Sequence, residues 1–236
     1  MHGMFTTAAL ALATLVSAAP VDQPKVSARA VNDVYNMYHG DGSPQAGWPD
    51  QNRWGSFDEL WSVNSALMRQ SCGWNGWGQD NSQQEINDIR RAIEQVSGET
   101  GVDSRFILAI VMQESKGCVR APTTNNGVVN PGLMQSHNGA GSCAGVSNCP
   151  YDTILLMIRD GTAGTAHGDG LRQTLDKTSG PTGGGARNHY AAARMYNSGS
   201  VDYGNLNNGF TSTACYAADV ANRLTGWTLA GSGCHL

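Results

Sequence analysis

Apolar residues along this chain recur at helical spacing, and polar residues set the helix ends. The clearest case follows Ser82, where Ile86, Ile89, Ile93 and Val96 return every three or four positions. Ser82 and Glu85 stand in capping-box spacing before that run, and Ser56 and Glu59 repeat the device ahead of a second helix. A third helix is predicted over "FILAIVMQES", Phe106 to Ser115, with Asp103 or Ser104 as its cap and Gly117 as its stop. Further helices are predicted near residues 152–160, 169–177, 187–197 and 213–224. Alternation typical of strands is nearly absent, apart from a short hairpin expected around 127–137. Residues 123–148 are rich in Gly and Asn and read as a long loop, and "GPTGGGAR" (180–187) reads as a flexible lead into the next helix. The pattern gives a mainly α domain with long loops, without an internal repeat.

Composition narrows the setting. The chain has 236 residues, enough for one domain with a substantial core, and a net charge of −4. That charge argues against a nucleic-acid partner, which calls for a basic face. The apolar run Ala8 to Val16 is too short to span a bilayer. With "SAA" ending near Ala19 it predicts a signal peptide over 1–19 and a secreted, extracellular protein without a membrane partner. Six cysteines in an exported chain predict a disulfide framework; Cys143 and Cys149 bracket one short loop and are the expected pair. No Asn-x-Ser/Thr sequon occurs. Residues 20–55 read as a mobile lead to 34 followed by an irregular Trp-rich arm, and 56–236 as the main domain. Trp48, Trp54, Trp61, Trp74 and Trp77 crowd the first third, either as sugar-stacking faces or, more simply, as a satellite core. No HExxH or paired CxxC motif is present, so neither a metal nor a cofactor is expected.

One residue breaks the apolar pattern. On the helix from Phe106, positions 106, 110 and 114 share a face, so Glu114 points where the core points. Desolvation there favours the neutral acid and raises its pKa. A carboxylic acid that keeps its proton near neutral pH is what cleavage of a glycosidic bond requires, since it protonates the departing sugar oxygen. The plain alternative is a glutamate at the core edge, exposed or paired with Lys116 or Arg120.

Downstream motifs bear on that choice. Glu114-Ser115 is followed by Gly132-Leu133-Met134-Gln135 and then by Tyr196-Asn197-Ser198-Gly199. In this order, over roughly residues 80–225, the three motifs resemble the lytic transglycosylase and goose-type lysozyme superfamily, and the whole chain resembles a secreted fungal-type member. The resemblance implies a lysozyme-like fold. It implies cleavage of the β-1,4 bond between N-acetylmuramic acid and N-acetylglucosamine in peptidoglycan, by a monomer acting on glycan strands. Carried over by position, Glu114 is the catalytic acid, Ser115 steadies the site, Met134 and Gln135 touch the sugar, and Tyr196 and Asn197 sit beside the glutamate. Independently, Asn197 offers donors and acceptors for an N-acetyl group, while Met134 is equally well explained as core filling.

The chain departs from the goose-type pattern in one respect. Those enzymes carry an aspartate two positions after the glutamine of Gly-Leu-Met-Gln, where this chain has Ser136 and then His137. Asp152, Asp160, Asp169 and Asp202 remain as acids, with Asp152 expected to cap a helix and Asp202 the better candidate for a second carboxylate. The alternative to hydrolysis is a lytic transglycosylase reaction forming 1,6-anhydro products, and the rival functions are a chitinase and a non-catalytic glycan-binding protein.

Overall fold

The computed structural model describes residues 31–235; the expected signal peptide (1–19) and the lead up to residue 30 lie outside the described residues. Two single-turn 3-10 helices, Pro44–Ala46 and Gln51–Arg53, precede eight α-helices among the described residues. These are α1 (Phe57–Met68), α2 (Ser71–Trp74), α3 (Gln83–Thr100), α4 (Ser104–Ser115), α5 (Tyr151–Ala163), α6 (Leu171–Thr182), α7 (Gly185–Ser198) and α8 (Tyr216–Thr225). A minimal antiparallel hairpin, β1 (Thr124–Asn125) and β2 (Val129–Asn130), pairs Thr124 with Asn130 and Asn125 with Val129. The mainly α expectation holds.

Both capping boxes form. The Ser56 and Ser82 hydroxyls accept from the amides of Glu59 and Glu85, whose carboxylates accept in return from the Ser56 and Ser82 amides. Asp103 caps α4 through the Arg105 amide, and Lys116 ends it in the left-handed conformation (φ 54°), one residue before the expected Gly117. The hairpin sits a few residues earlier than its pattern suggested, because Gly127 (φ 90°) makes the turn and leaves the Gly-Leu-Met-Gln segment outside it. Residues 180–182 complete α6 rather than forming a free lead, and Gly183 provides its left-handed cap. Asp152 is not a cap: α5 begins at Tyr151, so Asp152 lies inside the first turn, where it faces the positive end of the helix dipole.

α4 is more deeply placed than a single stripe implies. Residues Phe106 to Met112 are all buried, the signature of a central helix rather than a one-faced one. It packs against α1, α3 and α8, while α5 lies on α3 and α6 on α7. Its two ends come partly free of the core, Ser104 and Arg105 at the start and Gln113 and Glu114 in the last turn.

The Trp-rich segment is part of that core. Trp48 is 1% exposed, stacks on Tyr38 at 5.3 Å between centroids, and donates its indole N–H to the His39 carbonyl. Trp54 donates to the Tyr190 hydroxyl, which donates to the Pro49 carbonyl. The Gly55 amide reaches the Leu224 carbonyl at the end of α8. Residues 35–55 therefore bind the helices as an integral layer, irregular in backbone but fixed in place.

Three disulfides close the described residues: Cys72–Cys118, Cys143–Cys149 as expected, and Cys215–Cys234. Their contributions scale with loop length. By chain entropy the Cys72–Cys118 bond, 46 residues apart, stabilises by about 4 kcal/mol, and Cys143–Cys149, 6 apart, by about 2 kcal/mol. Urea unfolding of the paired Cys→Ala variants should show the Cys72/Cys118 pair as the more destabilised of the two.

Candidate active site

A groove of about 1580 Å³ lies at the C-terminal end of α4. Its lining is mostly hydroxyls and amides from the hairpin, the 165–169 turn, α6, the end of α7 and the loop before α8. Glu114 is in it, together with Gln135, Tyr196 and Asn197. Four residues expected at the site, drawn from three separate motifs, thus share one surface.

Glu114 is half-buried, and one carboxyl oxygen is occupied. The Tyr216 hydroxyl donates to Glu114 Oε1 at 2.5 Å. Burial pushes the carboxyl up to about 7, against the opposing pull of the Tyr216 hydrogen bond and the positive charges of Lys116 and Arg223. Burial likewise brings the Lys116 ammonium down to about 7, with Arg223 adding repulsion. The plain alternative of a Glu114–Arg120 pair does not form. Arg120 is bound to Glu85 at 2.6 Å, and the pair is almost wholly buried between α3 and the Cys143–Cys149 loop.

Two of the expected site residues, Ser115 and Met134, do not line the groove. Ser115 is fully buried and donates to the Leu133 and Val111 carbonyls at 2.8 and 3.0 Å, which ties the end of α4 to the Gly-Leu-Met-Gln segment. Met134 is also fully buried, with its side chain against Gly161 and its sulfur accepting from Thr162. Its backbone carbonyl, however, accepts from the Tyr196 hydroxyl at 2.8 Å. Tyr196 therefore spends its hydroxyl on positioning and offers its ring to the groove. Gly132 is required where it stands: its φ is 72°, and a Cβ would lie 2.4 Å from the Met157 sulfur. Gln135 is held by its side-chain amide, which donates to the Gly132 and Pro122 carbonyls, and its Oε1 accepts from Thr124.

Asn197 is fixed from behind. The guanidinium of Arg194, fully buried on α7, donates to Asn197 Oδ1 and to the carbonyl of Thr213, which also lines the groove. That leaves the Asn197 amide donors without a partner among the described residues. Neither Arg194 nor Tyr216 belongs to a motif. A signal for Tyr216 was nonetheless present: Tyr216, Asp219 and Arg223 are polar positions three and four apart in an Ala-, Val- and Leu-rich helix. All three meet the end of α4. Gln113 donates to Asp219 Oδ2 at 3.0 Å and accepts from Arg223 Nε at 2.7 Å, and Tyr35 donates to Asp219 Oδ1 at 2.7 Å.

The remaining acids separate clearly. Asp160 accepts from the Ala140 and Gly141 amides and staples that loop. Asp202, the favoured second carboxylate, accepts from the Gly204 amide and the Asn208 side chain in a turn, and it does not line the groove. Asp169 does line it, paired with Lys177. His137 lines it as an exposed loop residue. None of the five crowded tryptophans does. Comparison of the chain with protein-family models, with curated proteins and with solved structures returns no match.

The raised pKa gives two expected outcomes. An acid with a folded value near 7 and an ordinary value of 4.5 holds its proton in the folded state across that window, so its contribution to stability is present below 4.5 and lost as pH rises through 7. Glu114→Gln removes the penalty. Its unfolding free energy, read from urea denaturation, should match wild type near pH 4 and exceed it at pH 8, by an amount on the order of 2 kcal/mol after allowing for contact with groove water. Lys116 titrates in the same range and is present in both proteins, so the comparison is read as a difference. Tyr216→Phe removes a hydrogen bond that favours the ionised form. The Glu114 carboxyl should then titrate at higher pH in a carbon-13 NMR titration.

Proposed function

We propose that the protein is a secreted glycosidase of the lysozyme-like kind, cleaving the β-1,4 bond between N-acetylmuramic acid and N-acetylglucosamine in peptidoglycan. Glu114 is the general acid. The observation that carries the reading is the Glu114 carboxyl, hydrogen-bonded by Tyr216 in a groove lined with sugar-compatible hydroxyls and amides, where burial raises its pKa to about 7. The three disulfides fit export through an oxidising compartment.

In this reading the glycan lies along the groove with the scissile oxygen over Glu114. The acid delivers its proton as the bond breaks. The carboxylate left behind is favoured by the Tyr216 hydroxyl and by the charges of Lys116 and Arg223, the same groups that oppose burial in the resting state. Asn197, its acceptor side taken by Arg194, presents its donors to an N-acetyl carbonyl. The Tyr196 ring gives the sugar an apolar wall.

Water completes the reaction in a hydrolase. A second reading, with the muramyl 6-hydroxyl attacking and Glu114 serving as acid and then base, is favoured by one observation. The carboxylates lining the groove among the described residues are Glu114 and Asp169, and Asp169 is engaged by Lys177. An inverting hydrolase calls for a free carboxylate across the bond, at a separation of roughly 6.5–9.5 Å.

Clearing of a bacterial wall suspension should be lost in Glu114→Gln, with at least a ~100-fold fall in rate and an unchanged fold. Wall lysis by that variant at the wild-type rate refutes the assignment. Wild-type activity should decline as pH rises through about 7, where Glu114 loses its proton. Mass spectrometry of the digest separates the two reaction types, because the anhydro product is one water lighter than the hydrolytic one. Faster cleavage of chitin oligomers than of wall strands would instead favour a chitinase.

A further inference from the structure

One stretch of the groove differs chemically from the rest. Where the 165–169 turn meets α6, the wall presents a fixed pair of opposite charges, Lys177 Nζ against Asp169 Oδ2. The two side chains are 56% and 38% exposed, and an ion pair that open contributes little to stability. Yet the segment that displays it is firmly built. The Thr165 amide donates to the Gly168 carbonyl at 2.9 Å, closing a tight turn, and the Thr165 hydroxyl donates to the His137 carbonyl at 2.9 Å. Gly168 lies so close to the His137 ring that a Cβ would sit 2.6 Å from it. Gln173 clamps the base of the turn, accepting from the Gly170 amide at 2.9 Å and donating to the Ala163 carbonyl at 2.7 Å. The backbone that carries Asp169 is thus firmly built at the groove wall, while the charge pair it displays adds little to the fold, which is the arrangement of a binding site.

We infer that Lys177, aimed by Asp169, is a subsite for a carboxylate carried on the glycan strand, as on the peptide stem of a muramyl residue. An ammonium has three donors, and Asp169 occupies one direction, so the others remain for a ligand oxygen. Asp169 in turn accepts from an ammonium, which suits a zwitterionic stem. The inference rests on the glycosidase reading and makes it more specific: the preferred strand bears charged substituents and is not an uncharged polymer of N-acetylglucosamine.

Binding is the direct test, measured by calorimetry in the Glu114→Gln background so that no cleavage intervenes. Three soluble ligands are compared: muramyl oligosaccharides with stem peptides, the same oligosaccharides stripped to the lactyl carboxylate, and N-acetylglucosamine oligomers. Lys177→Met should weaken the peptide-bearing ligand by about 10-fold or more and leave the N-acetylglucosamine oligomers within about twofold, while Lys177→Arg retains affinity. Weakening of both muramyl ligands, with the third unchanged, also supports the site and assigns the carboxylate to the lactyl group. Equal weakening of all three, no weakening of any, or no binding at all overturns it. Cleavage is scored separately on the chain with Glu114 intact, where failure to cut a bound strand refutes the glycosidase reading and leaves the subsite standing.

Discussion

The site depends on one half-buried carboxyl at the end of a buried helix. Glu114 occupies the last turn of α4, where the core gives way to the groove. Three effects act on its proton there. Burial disfavours the charged form, the negative end of the α4 dipole disfavours it further, and Tyr216, Lys116 and Arg223 favour it. The near-neutral balance among them requires every contributor to stay put. Placement is therefore as important as identity: a carboxyl turned outward by one position would meet bulk water and titrate as an ordinary glutamate.

Fixing that placement explains much of the surrounding structure. Gln113 joins α4 to Asp219 and Arg223 of α8, and Tyr35 of the N-terminal segment closes the same network from the other side. Ser115 joins α4 to the loop that carries Gln135. Three of the five non-glycine residues with left-handed backbone among those described lie at these junctions: Lys116 after the Glu-Ser pair, Gln135 in the groove wall, and Cys215 immediately before Tyr216. Each conformation costs of order 1 kcal/mol and persists only where neighbours over-determine it. The Gln135 amide is pinned to two carbonyls, and Cys215 is anchored by its disulfide to Cys234. The bond near the end of the chain thereby helps to hold the tyrosine that holds the acid.

Local chemistry was readable from sequence, and long-range pairing mostly was not. The capping boxes at Ser56 and Ser82 are satisfied within four residues, so pattern alone revealed them. Cys143–Cys149 was readable for the same reason, while Cys72–Cys118 and Cys215–Cys234 depend on how helices pack. Glu114 announced itself by breaking an apolar run. Its partner Tyr216 stands 102 residues away and follows a cysteine in no motif. Only the shared stripe with Asp219 and Arg223 hinted that this face of α8 meets something polar. Met134 shows the opposite failure. Membership of a motif suggested contact with sugar, but the Met134 side chain is spent on the core and its carbonyl on Tyr196, while Ser115 of the same motif set ties α4 to the Leu133 carbonyl.

The tryptophans show how the same composition takes two meanings. Indoles stack on sugars and on one another with the same apolar faces, and sequence does not separate the cases. Trp48 and Trp54 are committed to Tyr190 of α7 and to backbone carbonyls of their own segment, so their rings are used up in attaching that segment to the helices. The groove is left without a tryptophan face, and its walls rely on the Tyr196 ring together with hydroxyls, amides and the Lys177–Asp169 pair. A surface of that kind gains little from burying a flat apolar ring and more from matching donors and charges. In the glycosidase reading, recognition would follow hydrogen-bond and charge pattern, penalising a ligand that leaves a groove donor unmatched more severely than one that is merely a poor fit in shape.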